Sequence, residues 1–360
     1  MFDSIIIGAG IAGMATARMM VRAGMNILII DDSQKNAASR VAAGLVNPIT
    51  GKRFQVSWRY SEFLNLAAMH YALFAEQDSE VAYLKQQSMI RLFADEKEHE
   101  LFNAKIATLH AEEFIGEIFE PGSNQVHPSI RNLHGGFRTL QAYVFDYGRF
   151  LDISGHQLRH SIVNAYVAPN NIESKDGYWS INTDNGAILG KTILFCDGWL
   201  ASRNSWFFDA NLQFDIVKGE SCIIESIELP ETDIISRGFA IIPIGRNQFR
   251  CAATFQWNEC TTIPTAFGAE RLMQRIQSLI HCEYKIIEQS AGLRPTMLHH
   301  LPFLGEHPHH QGMFMLGGLG TKGALYAPHM AQQIVNNLVN GQQFDSEMDI
   351  SKQHNRFAIH

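Results

Sequence analysis

An apolar strand that runs straight into a glycine-paced turn constrains this chain more than any other feature. Ile5, Ile6 and Ile7 are followed by Gly8, Gly10 and Gly13 in G-x-G-x-x-G spacing, and then by a segment rich in Ala and Met. Each glycine has a mechanical task in a strand-turn-helix unit of this kind. Gly8 permits the tight turn, Gly10 lets the backbone approach a pyrophosphate, and Gly13 lets the helix pack closely on the strand. The phosphates then meet the positive helix N-terminus, at Ile11 and Ala12. A second apolar strand, Ile27 to Ile30, ends in Asp31 and Asp32. An acid at that point accepts hydrogen bonds from a ribose 2′-hydroxyl and repels a 2′-phosphate, so the spacing predicts FAD or NAD rather than NADP. A secretion signal is the competing reading of the same stretch. It asks for positive charge ahead of the apolar run, where the only charge is Asp3.

Composition narrows the class further. A chain of 360 residues with 46% hydrophobic content buries a large core and has the length of two domains, or of one domain with a large insertion. A formal net charge of −7 argues against a broad basic face for nucleic acid or anionic membrane. No apolar run reaches the length of a membrane span. The five cysteines, Cys196, Cys222, Cys251, Cys260 and Cys282, form no C-x-x-C pair and read as reduced thiols in a cytoplasmic protein. His307, His309 and His310 lie among prolines and glycines without a companion set of acidic or cysteine ligands, so they read as a solvated turn and no metal is expected.

Helical periodicity marks residues 57–78, 95–110, 265–280 and 323–341, whereas 161–168, 178–183, 193–198, 214–226, 239–244, 249–255 and 312–318 read as strands. Nucleotide-site signals therefore stand at both ends of a β-rich middle. The expected architecture is α/β: a Rossmann-like FAD-binding domain, discontinuous over 1–80, 140–205 and 290–360, with an inserted α+β substrate domain over 81–139 and 206–289.

Six ordered blocks carry a resemblance: GAGIAG with Asp31, SRVAAGLVNP (39–48), VKGE (217–220), IIPIGRNQFRCAAT (241–254), SAGLRPTMLHHLPFLG (290–305) and GGLGTKGALYAP (317–328). With them the chain resembles the FAD-dependent D-amino-acid oxidase family, especially its glycine oxidase and monomeric sarcosine oxidase members. It is similar as well to the flavin domain of the bifunctional tRNA enzyme that forms 5-methylaminomethyluridine. The resemblance implies that Asp31 holds the adenosine ribose and that Ser39, Arg40, Ala43 and Gly44 line the flavin and pyrophosphate. Val167 would meet the adenine through its backbone, and Gly198 would end a strand beside the pyrophosphate. Ile11, Ala12, Asp32, Leu45 and Cys196 complete that part of the cofactor set. Gly318, Gly320, Thr321, Lys322 and Gly323 would lie beside the flavin ring, where a helix N-terminus favours the negative charge of the reduced ring.

For the substrate, the resemblance implies that Arg294 grips a carboxylate with its planar fork. Lys322 and His300 are further candidates beside it, as are Lys52 and Arg53 of the loop 46–54. No cysteine occurs in residues 291–300, where monomeric sarcosine oxidase attaches its flavin, so noncovalent FAD is expected. The tyrosine that glycine oxidase carries ahead of its IVP segment is replaced around Phe239 and Ala240, which argues against glycine itself. The implied reaction is oxidation of the C–N bond of an amino acid or secondary amine. Hydride passes from the α carbon to flavin N5, the imine is hydrolysed afterwards, and O2 or another acceptor takes the electrons. A standalone tRNA-modifying flavoenzyme acting on a carboxymethylaminomethyl-uridine and a flavin-bound sensor without turnover are the alternatives.

Overall fold

The structure is a computed structural model that describes residues 1–33, 37–77, 81–106, 112–208, 215–257, 259–296 and 301–352. The strand Phe2–Ile7 lies between Ile27–Asp31 and Gly186–Phe195, parallel to both, with Ile6 level with Ile29 and Leu194. Ile162–Asn164 extends the parallel set beyond Ile27–Asp31, and Met313–Gly317 extends it beyond Gly186–Phe195. The unbroken Ile and Leu runs of these strands follow from burial on both faces. On one face Ile6, Ile29 and Leu194 pack with the helices Ile11–Arg22, Tyr60–Gln77, Tyr147–Gln157 and Gly323–Asn340. On the other, Ile5, Ile7, Leu28, Ile193 and Phe195 pack with Trp179, Phe207 and Phe303.

A second, nine-stranded sheet is antiparallel except where Ser88–Leu92 meets Asp233–Ser236. Its spine is the long pair Asp215–Glu225 and Lys285–Thr296, in register from Asp215 opposite Thr296 to Glu225 opposite Lys285, with one shift between Ile223 and Ile224. Residues 290–296, which the sequence grouped with the nucleotide part, thus pair within this sheet. Its period-2 alternation sends Ile90, Cys222, Ile224, Ile235, Ile241 and Cys251 to one face, where Leu272, Ile276 and Leu279 of the helix Ala266–Leu279 cover them. Thr265 caps that helix by accepting the Gly268 N–H at 2.9 Å.

A buried charge pair ties the helix to the strand below. Lys218, fully buried, donates to Glu259 Oε1 at 2.8 Å, Thr261 Oγ1 at 3.0 Å and the Ile263 carbonyl at 2.8 Å. Glu220, equally buried, accepts the Thr265 N–H and hydroxyl at 3.0 and 2.7 Å and the Gln289 amide at 2.8 Å. Two charges thereby leave water with nearly every hydrogen-bonding site occupied.

Element bounds differ in places from the periodicity. The helix expected over 95–110 is described over Glu96–Lys105, capped by the Asp95 carboxylate on the Glu98 N–H, and residues 107–110 lie outside the described residues. The strand expected over 161–168 is Ile162–Asn164, level with Ile29 to Asp31, and the Ala165 N–H makes the last bond to that strand, on the Asp31 carbonyl at 3.1 Å. His307 corrects another expectation. The turn is solvated at Pro308 and His309, but the His307 side chain is buried beneath it: one ring nitrogen accepts the N–H groups of His309 and His310, each at 3.1 Å, and the other bonds the Trp206 carbonyl at 2.8 Å. Among the described residues no helix is long and apolar enough to cross a membrane, and no group of three His, Cys, Asp or Glu side chains is placed to hold a metal ion.

Candidate active site

The glycine turn is as tight as its spacing requires. Gly8 has φ of +102°, and a Cβ there would stand 2.4 Å from the Cys196 carbonyl oxygen; a Cβ on Gly13 would stand 1.9 Å from the carbonyl oxygen of Gly8. Gly10 has no side chain with which to cap the helix Ile11–Arg22. The Ser39 hydroxyl accepts the Ile11 N–H at 3.1 Å instead. Asp31 accepts the Ala9 N–H at 2.7 Å through Oδ2 and the Ser33 N–H at 2.8 Å through Oδ1, so its carboxylate braces the turn itself. A cavity of about 140 Å³ opens there, lined by Gly8, Gly10, Asp31, Asp32, Ser39, Val167, Cys196 and Gly198. Asp197 also lines it. The Asp197 Oδ1 is buried without a partner, and burial pushes its carboxyl up to about 7.

Gly10, Ser39, Cys196 and Gly198 also border a larger cleft of about 380 Å³. Ile11, Ala12, Ala43, Gly44 and Leu45 lie on one side of it, and Gly318, Gly320, Thr321, Lys322 and Gly323 on another. The helix Gly323–Asn340 starts here with Lys322 at its N-cap and no side-chain cap. Two phenols anchor that start: Tyr147 accepts the Ala324 N–H at 2.8 Å, and Tyr71 donates to the Ala324 carbonyl at 2.9 Å. Burial holds the Lys322 ammonium below the usual lysine range.

The nine-stranded sheet forms the floor. Arg294, opposite Val217 in the paired strand, lays its guanidinium over Gly219, where a Cβ would stand 2.2 Å from Nη2. Its Cζ lies 5.0 Å from the centre of the Phe255 ring. The Nη1 atom is buried with no hydrogen-bond partner, and desolvation lowers the group to about 10. Arg91, on Ser88–Leu92, is a second lining guanidinium that sequence reasoning missed. It is 5% exposed, donates to Glu98 Oε1 at 2.6 Å and to the Gly51 carbonyl at 3.4 Å, and keeps a buried Nε without a partner. Its signal was a single charge inside the apolar run MIRLF.

Not every expected residue reaches the cleft. Arg40 points away: the short helix Ala38–Val41 turns Ala38, Ser39 and Val41 inward, and the Arg40 guanidinium pairs with Asp152 on Tyr147–Gln157. Gly13 lies beneath the turn rather than on its surface. Lys52 and Arg53 are exposed and line neither cavity, although Gly51 does. His300 lies outside the described residues.

These residues fit FAD. Two helix N-termini without side-chain caps of their own, at Gly10 and Lys322, open into joined cavities, one with an acidic strand end for a ribose and the other with room for a ring. Comparison with known proteins agrees. The family described as FAD dependent oxidoreductase matches residues 3–336. The glycine oxidase of Geobacillus kaustophilus is 23% identical over 91% of this chain and 90% of its own. The tRNA 5-methylaminomethyl-2-thiouridine biosynthesis bifunctional protein of a Caulobacter species is 26% identical over 93% of this chain and 54% of its own. The crystal structure of the Geobacillus glycine oxidase superposes with a TM-score of 0.80, at 20% identity and 95% coverage of each chain.

Proposed function

The chain belongs to the family of FAD-dependent oxidoreductases, and on that premise we propose that it oxidises the C–N bond of an amino acid or of a secondary amine that carries a carboxylate. The observation that carries this reading is the Arg294 guanidinium on the cleft floor, with Nη1 buried and unpartnered. An unpaired buried donor is costly, and a carboxylate accepting from it removes that cost.

Bound FAD supplies an acceptor for two electrons from the substrate α C–H. The protein would hold it through the turn at Gly8, Gly10 and Gly13, through Asp31 at the ribose, and through the Gly318 to Gly323 turn at the ring. Absence of any cysteine from 291–300 supports noncovalent attachment. Arg294 orients the carboxylate so that the α carbon faces the ring. Among the described residues no Asp, Glu or His lines the larger cleft. That lining supports a reading in which the substrate amine arrives neutral and positioning, rather than proton abstraction by a carboxylate or imidazole, carries the rate. We also propose a two-part division, nucleotide-binding over 1–80, 140–205 and the segment after Thr296, and substrate-binding over 81–139 and 206–296.

The test is anaerobic bleaching of the flavin by a panel of N-substituted glycines, D-amino acids and modified tRNA. Bleaching by a free amine supports the proposal. Bleaching by tRNA alone transfers the activity to nucleic acid, and bleaching by none of the panel overturns it.

A further inference from the structure

A single row of side chains crosses the nine-stranded sheet from the Arg294 end of the cleft to Arg91. Ser221 is level with Ala252, Ala252 with Ala240, Ala240 with Ser236, and Ser236 with Arg91. Residues level with one another project from the same face of a sheet, and all five line the cleft. Their neighbours in sequence, among them Cys222, Cys251, Ile241, Ile235 and Ile90, fill the opposite face under the helix Ala266–Leu279. One face is thus packed with large apolar groups, while on the other the row itself is kept low by serine and alanine, bordered by Met89, Ile234 and Ile242. Adjacent strands lie about 4.8 Å apart, so this low floor runs roughly 19 Å from the strand of Ser221 to that of Arg91. A simple amino acid held at Arg294 is too short to reach its Arg91 end.

The far end has a defined chemistry. Arg91 is paired with Glu98, so the site there is close to neutral overall, yet Arg91 Nε is buried without a partner. An uncharged hydrogen-bond acceptor suits that end better than a second carboxylate, which the Glu98 charge opposes.

We propose that the cleft takes a glycine-type secondary amine whose N-substituent is an extended chain lying along this floor, with a neutral oxygen acceptor at its far end facing Ser236 and Arg91. The proposal rests on the C–N oxidation reading for its reacting end, but the floor can be tested separately. The probes are S-substituted thioglycolates, R–S–CH2–COO⁻, which have a carboxylate for Arg294 and no C–N bond at the reacting position. Their binding to the FAD-loaded protein is followed by the perturbation of flavin absorbance, for R ranging from methyl to an amide-terminated chain of about eight atoms.

The long probe is expected to bind about tenfold more tightly than the methyl probe. Ser236→Phe, or Ala240→Leu should the first variant lose FAD, raises the floor and brings that ratio to about one. A wild-type ratio near one, or a ratio untouched by either FAD-retaining variant, overturns the proposal. Flavin reduction by N-methylglycine and by the amide-terminated N-alkylglycine is measured in parallel. A chain-length effect on thioether binding without reduction by any amine leaves the floor standing and removes the C–N oxidation reading. Reduction without any chain-length effect does the reverse.

Discussion

Gly219 yields the place of its missing side chain to Arg294. A Cβ built on Gly219 would stand 2.2 Å from Nη2, 2.4 Å from Cζ and 2.5 Å from Nη1 of the guanidinium. Three near-equal distances mean that the methyl would strike the face of the fork, so the glycine lets the plane lie directly on the strand with Phe255 nearby.

Gly219→Ala is expected to shift that plane and raise the half-saturating amine concentration about tenfold to a hundredfold, the range that small misplacements of a reacting group produce. FAD content stays unchanged, because Gly219 lies away from the nucleotide turn. Concentration series of flavin reduction give the value directly; identical half-saturation in the variant removes Gly219 from the positioning of Arg294.

Arg294→Lys keeps a positive charge and loses the fork. The expected outcome is flavin retained but substrate captured poorly, by a few kcal/mol, with each 1.4 worth about tenfold. Matching rate and half-saturation in both proteins would make Arg294 structural.

Asp31→Ala removes an acceptor that already holds the Ala9 and Ser33 N–H groups. Two effects should therefore separate. FAD affinity falls by about 1.5–3 kcal/mol for a charge-assisted bond to the ribose, and the cofactor-free protein also melts earlier because the turn is unbraced. Fluorescence titration of FAD measures the first and a thermal scan of apoprotein the second. A loss confined to FAD affinity would assign Asp31 to the ribose alone.

Lys218→Met leaves Glu220 buried without its nearest cation, which lies 3.7 Å away. Breaking one side of a buried pair is expected to cost about 3–5 kcal/mol. Urea unfolding of the holoprotein reads this as a lowered midpoint, and an unchanged midpoint would show that the 259–268 segment contributes little.

The Asp197 carboxyl, pushed up to about 7 by burial from an ordinary value of 3.8, is protonated in the fold over a range where the unfolded chain is ionised. Its contribution to stability is fully present below about pH 4 and is lost as pH rises toward 7. Asp197→Asn should flatten that part of the apoprotein's pH–stability curve. A slope equal to wild type between pH 4 and 7 would place the titration elsewhere.

Local patterns carried the nucleotide end of the fold. The strand Tyr178–Thr183 and the helices Ala266–Leu279 and Gly323–Asn340 match their periodicity closely, and the glycine turn is where its spacing placed it. The strand Lys285–Thr296 escaped notice because Gly292 and Pro295 interrupt its alternation, and its length comes from pairing with residues seventy positions earlier. Arg40 was drawn to the cleft by its neighbour Ser39, whereas a partner on a distant helix, Asp152, decides its direction. The low row of Ser221, Ala252, Ala240 and Ser236 exists only once register is known. In sequence these are ordinary small residues in separate strands.

The parallel sheet has a consequence for how the protein is made. Its first strand and turn are complete by Gly13, but the strand that flanks Gly186–Phe195 is Met313–Gly317, and the helix packed across Ile11–Arg22 begins only at Gly323. At 5–20 residues per second, a translating ribosome needs roughly 15 to 60 s to cover that interval. Within it the adenosine end of the site waits for Val167, Cys196 and Gly198, and the ring end for the Gly318 to Gly323 turn. Both ends of the site are therefore complete only when the chain has been made as far as the start of Gly323–Asn340.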